Sequence, residues 1–449
     1  MLLQDESLQR RIGVVGLTVV GVTTTRSSRG FDRPVVLLLG GAQQLADPGA
    51  APLPGGFLRP IRRITMIPLN PPDPVRLAAV AELCTLPDPY RRDAASDELF
   101  VRAMREICAW HIARCPFYAR LAALLDFTPE RLATVADCAH IPPIHANFFK
   151  QHEVLSIDRA AITNHLTSSG TTGQKSQMFF DAWTLGVGQA MVARIFARYG
   201  WHTPEQPTNY LIFNYEPVTG SKVGTAFTNQ FLAQFAPVHR VAYALRHSGG
   251  GRHEYDPFGC IRALQEYADE GLPVRLLGFP AFLHATLERM RALELDKLRL
   301  NPDSLVFFGG GWKKDAQRAV PKAELYALIE DWLGIPNLRI RDGYGAVEYS
   351  VPSIECDRHR LHVPVYSRVF ARDVATLEPL GPGQTGFLHA VSPYITSVPA
   401  HSVLMGDLIQ WQPGEECGCG LSTPYFELLG RAGTAKNRSC AMAAAELLK

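Results

Sequence analysis

The sequence has almost no charge imbalance. Its 449 residues include 45 Lys and Arg against 43 Asp and Glu, which gives a formal net charge of +2. The two signs are interspersed along the chain, whereas proteins that bind nucleic acid or an anionic membrane surface concentrate basic residues. We therefore expect neither a nucleic acid nor a membrane as a partner.

The sequence also has little that would suit secretion or membrane insertion. The apolar run at residues 12–22 is too short to span a bilayer, and it lacks the basic start and cleavage site of a secretory signal. The nine cysteines are an odd number without the spacing of a disulfide framework. These features predict a cytoplasmic protein.

The hydrophobic pattern divides the chain into four parts. Residues 1–65, rich in Gly, Pro and Arg, are predicted to be a poorly ordered or extraneous extension, with a short strand near PVVLLL as the alternative. Within residues 66–360, apolar residues recur at intervals of three and four over 96–125, which predicts a helix. Runs typical of β-strands then alternate with helical stretches. This alternation predicts an α/β domain with parallel sheets flanked by helices. Residues 361–430 read as a small β-rich subdomain and 431–449 as a short tail.

The sharpest local motif is LTSSGTTGQKSQMFFD, residues 166–181. Glycines let backbone N–H groups approach an anion, and Ser and Thr hydroxyls add hydrogen bonds, so the loop suits phosphate binding. It lacks the spacing of a Walker A motif. A flexible surface turn is the alternative.

Three weaker motifs follow. The glycines of VFFGGGWKKD come after an apolar run, at the strand end where open α/β sheets bind ligands. In RDGYGAVEYS, Tyr344 offers an aromatic face for a base and Glu348 a carboxylate for Mg²⁺. Asp407, in LMGDLIQW, could bridge the two ribose hydroxyls of a nucleotide. Taken alone, the glycines could form a simple tight turn, YGxxE is a weak signal, and an aspartate in a turn would look identical to Asp407.

The order of these motifs resembles that of the adenylate-forming superfamily. SSGTTG, GGGW, YGxxE, an isolated Asp and a final GR follow one another. Within the superfamily the chain resembles the LuxE acyl-protein synthetases of bacterial bioluminescence and, more distantly, the phenylacetate-CoA ligases. The resemblance spans roughly residues 100–449 and includes IPPIHANFFK, GFPAFL, GGGWKK and GTAKNRSCAMAAAELLK.

The resemblance implies the N-terminal domain of an adenylate-forming enzyme that uses ATP and Mg²⁺. The candidate cofactor-binding residues are Ser168, Ser169, Gly170, Thr171, Thr172, Gly173, Gly309, Gly310, Gly311, Tyr344, Asp407 and Arg431. The candidate catalytic residues are Lys175, Glu348 and Cys440. Only 18 residues follow Arg431, so we expect the full mobile C-terminal domain of CoA ligases to be lacking.

Cys440 matches the position that the LuxE family acylates. It stands at the head of an Ala-rich segment with Lys436 and Arg438 just before it. A thiol at a helix N-terminus beside cations ionises readily and is a good nucleophile. A packed helix residue is the alternative.

The resemblance also implies the partners. A fatty acid or another carboxylate is the expected substrate, and a reductase or carrier protein the expected acyl acceptor. One alternative is a stand-alone ligase that delivers an aryl or short carboxylate to CoA or a carrier protein. Another is a catalytically silent nucleotide-binding scaffold, against which the joint presence of the loop, Glu348, Asp407 and Cys440 argues.

Cysteine and histidine flank the β-rich segment. Cys356, His362, Cys417 and Cys419 are of the right types for a tetrahedral structural zinc site, with His359 nearby. Buried reduced cysteines are the alternative, and His362 could instead help to shape an acyl pocket. The luminescence enzymes lack these cysteines, whereas some phenylacetate-CoA ligase relatives carry them.

Overall fold

A computed structural model describes residues 70–167, 176–217, 231–250, 252–312 and 319–431, together with two short strands nearer the N-terminus. Of Arg431 only the backbone is described. The chain divides into two compact units, Met1–Leu58 and Arg59–Lys449. In the first, β1 (Val22–Thr23) and β2 (Val35–Val36) pair antiparallel. The extension predicted for residues 1–65 otherwise lies outside the described residues.

The second unit opens with three helices, α1 (Ala78–Cys84), α2 (Ala94–Arg114) and α3 (Pro116–Leu124). Asp93 and Ser96 form a reciprocal capping box at the start of α2. The single helix predicted across residues 96–125 is therefore wrong. Pro116 lacks a backbone N–H, so it cannot continue a helix but suits the first position of a new one.

Short strands and one long helix follow. β3 (Ile144–His145) precedes a hairpin of β4 (Asn164–Thr167) and β5 (Gln177–Phe180), which pair antiparallel. The helix α4 (Ala182–Arg198) begins directly after the hairpin. The predicted phosphate loop thus lies between two paired strands.

The central part alternates strand and helix, as predicted. Its strands are β6 (Thr208–Tyr215), β7 (Val238–Gly249), β8 (Arg252–Tyr255), β9 (Val274–Gly278), β10 (Leu305–Gly309) and β11 (Ile340–Ala346). Its helices are α5 (Pro257–Glu270), α6 (Pro280–Ala292) and α7 (Lys322–Leu333). The strand order β7-β6-β9-β10-β11 is parallel throughout, and β8 adds an antiparallel edge.

The β-rich part continues the same sheet. Its strands are β12 (Tyr349–Glu355), β13 (Leu361–His362), β14 (Arg368–Arg372), β15 (Pro379–Leu380), β16 (Gly386–Val391), β17 (Ser402–Gln412) and β18 (Tyr425–Arg431). They extend β11 in the order β12-β13-β18-β17-β16-β14-β15, and β3 joins beside β17, to give a 14-stranded sheet. The predicted boundary at residue 360 falls in the turn between β12 and β13, and the division into domains stays a prediction.

Helices cover both faces of the parallel strands. Successive residues of β9 point to opposite faces: Leu276 packs in a core with α5, α6 and α7, and Leu277 packs with Ile195 and Phe196 of α4. Burial of each side chain of this size stabilises the folded state by about 1.5–3 kcal/mol. The α/β class with helices on both faces is confirmed, and loops are left to gather at the strand ends. Within the described ranges, no helix is both long and apolar enough to cross a membrane.

Candidate functional site

The first group of predicted residues lies where β10 and β11 end. Gly309 closes β10 and is the register partner of Gly343, which places Tyr344 immediately beyond it on β11. Gly310 and Gly311 have φ angles of +82° and +63°, in the left-handed region that favours glycine. Among the described residues, none lies within 4 Å of a Cβ placed on Gly309 or Gly311, so that part of the chain leaves the backbone here accessible to a flat ligand.

Two residues far apart in sequence meet at this edge. The phenol of Tyr344 donates a hydrogen bond of 3.0 Å to Oδ2 of Asp407. The ring of Tyr344 also packs edge-on against Phe426 of β18, with centroids 5.6 Å apart. Asp407 in turn is the register partner of Arg431. Tyr344, Asp407 and the backbone of Arg431 are therefore brought together as three neighbouring parts of one site.

Glu348 lies in the turn between β11 and β12 and is only 5% exposed. Carboxylate oxygens are ligands that suit Mg²⁺. Its position four residues after Tyr344 keeps it at the same end of β11. The YGxxE motif therefore begins within β11, at Tyr344, and ends in the turn that follows the strand, at Glu348.

The predicted phosphate loop is bounded by described residues on both sides. Thr167 and Gln177 are register partners at the end of the β4–β5 hairpin. Ser168, Ser169, Gly170, Thr171, Thr172, Gly173 and Lys175 lie outside the described residues, and so does Cys440. Their roles stay predictions.

A buried acid that the sequence analysis missed supports the hairpin. Asp181 caps α4: its Oδ1 accepts from the backbone N–H of Thr184 at 2.6 Å, and its Oδ2 accepts from the hydroxyl of Thr396 at 2.6 Å. Ser397 donates to the carbonyl of Phe179 on β5 at 2.6 Å. These contacts fasten the segment after the loop to the β-rich part. Asp181 ends the motif quoted above, but an N-cap before a helix was its only signal.

A second network was also missed. Glu355 is fully buried at the end of β12 and forms an ion pair with Lys322. Its carboxylate also accepts a hydrogen bond of 2.9 Å from the phenol of Tyr326 and one of 2.8 Å from the backbone N–H of Asp342. Burial opposes ionisation, but His359 and Lys322 together hold the pKa of Glu355 below its usual value. This network holds α7 against β11 and β12, the strands that present Tyr344 and Glu348.

The predicted metal ligands are brought together from two separate segments of the chain. Atoms of Cys356, His362, Cys417 and Cys419 that could coordinate an ion all lie within 4.8 Å of one another. Cys356 and His362 come from the turn and strand after β12, and the other two from the connection between β17 and β18. The expectation that these four residues converge agrees with the structure, and their metal stays a proposal.

Comparisons with known proteins agree with this architecture. A family model described as "Acyl-protein synthetase, LuxE" matches residues 260–449. The "Long-chain-fatty-acid--luciferin-component ligase" of Aliivibrio fischeri is 21% identical over 358 residues, covering 78% of this chain and 89% of that protein. The protein of the same name from Vibrio harveyi is 22% identical over 319 residues, covering 70% and 80%. The resemblance to the LuxE acyl-protein synthetases is confirmed.

The LuxE-like chain shares its fold with adenylate-forming ligases. An open-conformation structure of 2-hydroxyisobutyryl-CoA ligase, solved with 2-HIB-AMP and CoA, has a TM-score of 0.57, is 17% identical and covers 76% of each chain. A postadenylation structure of that ligase has a TM-score of 0.57, is 17% identical and covers 80% of this chain and 74% of that one. The predicted fold is confirmed, and the LuxE relatives confirm the enzyme class, a ligase of the acyl-protein synthetase type.

Proposed function

We propose that this protein uses ATP to activate a carboxylic acid, a long-chain fatty acid, as an acyl-adenylate and then transfers the acyl group to Cys440. The observation that carries the proposal is the meeting of Tyr344 and Asp407 at the carboxyl edge, beside the glycines that end β10. The names of the LuxE relatives support a long-chain fatty acid. A reductase is the proposed final acceptor.

The residues have separate tasks in nucleotide binding. Tyr344 and the open backbone at Gly309–Gly311 border the place for the base, and Asp407 accepts hydrogen bonds from the ribose hydroxyls. The loop from Ser168 to Gly173 and Lys175 hold the phosphates. Glu348 would help to hold Mg²⁺, which would neutralise charge at the phosphates when bound. The convergence of Tyr344, Asp407 and Arg431 supports this assignment.

The reaction proceeds in two displacements. A carboxylate oxygen of the substrate attacks the α-phosphorus of ATP, the bond to the β-phosphate oxygen breaks, and pyrophosphate leaves. The thiolate of Cys440 then attacks the acyl carbon, a thioester forms and AMP leaves. Fixed donors around the phosphates stabilise the charge that develops in the first step.

The test separates the two displacements. Purified protein is incubated with ATP, Mg²⁺ and radiolabelled tetradecanoate, and both pyrophosphate exchange and hydroxylamine-labile label on the protein are measured. Wild type should show both activities. Cys440→Ser should keep pyrophosphate exchange and lose the labile label. The matched control Cys260→Ser, which alters a thiol buried beside α6, should keep both.

Each other outcome points elsewhere. Exchange without protein label for any fatty acid would overturn transfer to Cys440 and favour a stand-alone ligase for an aryl or short carboxylate. If the label survives in Cys440→Ser, another residue must be the acyl acceptor. Absence of exchange with every carboxylate tested would leave a nucleotide-binding scaffold, and the proposed activation would be wrong.

A further inference from the structure

Four side chains that could bind a metal converge near the ends of β12 and β17. This place lies away from the sheet edge where Tyr344 and Asp407 meet. Sγ of Cys356 lies 3.6 Å from Sγ of Cys417, and Sγ of Cys419 lies 3.3 Å from Nε2 of His362. We propose that Cys356, His362, Cys417 and Cys419 bind one Zn²⁺ through three sulfurs and one imidazole nitrogen. The proposal is independent of the adenylation chemistry above.

The spacing fits a tetrahedron. Bonds of about 2.3 Å to sulfur and about 2.0–2.1 Å to nitrogen give edges of about 3.8 Å between sulfurs and about 3.6 Å between sulfur and nitrogen. The two measured edges are within a few tenths of an ångström of those values, and all four ligand atoms lie within 4.8 Å of one another. Zinc prefers this geometry and this mixture of ligands.

The histidine is already in the tautomer that a metal needs. Nδ1 of His362 lies 2.8 Å from the carbonyl oxygen of Thr423, which can only accept, so Nδ1 carries the proton. Nε2 therefore presents its lone pair toward Cys419. A ligand histidine whose other ring nitrogen donates to a carbonyl is the usual arrangement around protein-bound zinc.

The backbone around the thiols is shaped for sulfur ligands as well. The N–H of Arg358 donates to Sγ of Cys356 at 3.3 Å, and such a bond stabilises a thiolate. Gly418 and Gly420 have φ angles of +71° and +84°, which let the CxC segment turn both thiols toward the same point. A disulfide would need sulfurs about 2.0 Å apart, well short of the 3.6 Å found here.

The ion would be structural because all four positions of the tetrahedron are filled by the protein. It would clamp the turn after β12 to the connection between β17 and β18. Asp407 lies five residues, roughly 17 Å of strand, before the end of β17, so the metal is remote from the nucleotide residues. Its predicted effect is on folding and on the fixed alignment of these strands.

The direct test is the metal content of full-length protein purified without a metal-binding tag. Wild type should carry one zinc ion per chain by inductively coupled plasma mass spectrometry. Cys417→Ser and Cys419→Ser should each lose it. Cys260→Ser, which removes a buried thiol outside the cluster, should retain it. Zinc-free wild type that takes up no zinc on reconstitution would falsify the proposal, and so would equal loss in Cys260→Ser.

A second measurement on wild type covers the case in which the serine variants do not fold. Zinc is removed with a chelator and Co²⁺ is added. Tetrahedral coordination by thiolates should give a sulfur-to-cobalt charge-transfer band together with intense visible d–d bands, and the thermal unfolding midpoint should recover. Weak octahedral bands, or no uptake, would overturn the site. Neither readout depends on ATP, so failure here leaves the proposed activity standing, and the reverse also holds.

Discussion

The phenol of Tyr344 on β11 donates to the carboxylate of Asp407 on β17, although 63 residues separate them. This bond fixes both side chains at the edge where the nucleotide is proposed to bind. A nucleotide that uses both residues should therefore bind more weakly when the bond is removed.

Tyr344→Phe should raise the KM for ATP in pyrophosphate exchange by about three- to tenfold, the equivalent of one intramolecular hydrogen bond worth about 0.6–1.4 kcal/mol. Asp407→Asn should raise it at least as much. The matched control is Tyr267→Phe, which removes a buried phenol that donates to the carbonyl of Tyr210 away from this edge. An unchanged KM in Tyr344→Phe would exclude the bond from nucleotide binding.

Asp181 should contribute more to stability than an ordinary helix cap. Asp181→Ala removes the cap of α4 and also removes the carboxylate that accepts from the buried hydroxyl of Thr396, which is then left with the hydroxyl of Thr184 at 3.1 Å. The combined loss in the free energy of unfolding should be about 2–4 kcal/mol. Asp256→Ala, which removes the cap of α5 at Gly259, should cost about 1 kcal/mol. Urea denaturation measures both, and equal losses would contradict the role given to Thr396.

Gly278 should not tolerate a side chain. Its φ angle is +126°, and a Cβ there would lie 2.6 Å from the carbonyl oxygen of Phe213. Gly278→Ala should therefore lower the free energy of unfolding by about 2 kcal/mol or more. Gly271→Ala tests the backbone effect alone, since its φ of +68° is left-handed but a Cβ would meet no described residue within 4 Å. The free energy of unfolding of Gly271→Ala should be about 1 kcal/mol lower than that of wild type. The difference between the urea midpoints of the two variants then reports the clash at Gly278.

Buried histidines should make the fold sensitive to mild acid. His111, His389 and His401 are each 0% exposed. Burial lowers the pKa of His111 to about 3, and burial likewise holds the pKa values of His389 and His401 well below the usual range. In the unfolded chain each pKa returns to about 6.5, so the unfolded state binds more protons below that pH. Stability is therefore fully present above pH 7 and falls as pH decreases toward 3.

At pH 5 His111 should lower the free energy of unfolding by about 2 kcal/mol relative to pH 7, and His389 and His401 should change it in the same direction. Urea denaturation at several pH values between 5 and 7.5 measures the slope. His111→Gln should be less stable at pH 7 but should show a slope that is shallower by about one proton. His202→Gln, at an exposed position, should keep the wild-type slope. Identical slopes in wild type and His111→Gln would contradict this account.

The strand and helix pattern was predictable because it depends on neighbouring residues. The apolar runs at NYLIFNY, VRLLGF and SLVFFG are β6, β9 and β10, and AELYALIEDWL lies within α7. The break at Pro116 was missed although it was predictable, since a proline in the interior of a helix removes a backbone hydrogen bond and clashes with the preceding turn. The candidate site residues Tyr344, Glu348 and Asp407 were proposed from the order of motifs, and their roles stay predictions.

The contacts that assemble the site were not predictable in the same way. Asp181 and Thr396 are 215 residues apart, and neither carries a local signal for the other. The pairing of Glu355 with Lys322 depends on how α7 lies against β12, which periodicity does not determine. The cysteine cluster was predictable in its ligand types, but only the fold sets the distances between them.

The register of β17 and β18 has a consequence for the kinetics of the proposed acyl transfer. Because Asp407 pairs with Arg431, the last described residue lies beside the edge where the nucleotide is proposed to bind, and nine residues of chain connect Arg431 to Cys440. Nine residues reach at most about 32 Å even when fully extended. A nucleophile confined to that radius has an effective concentration in the millimolar range or above. A free thiol in solution must exceed that concentration to compete for the same acyl group.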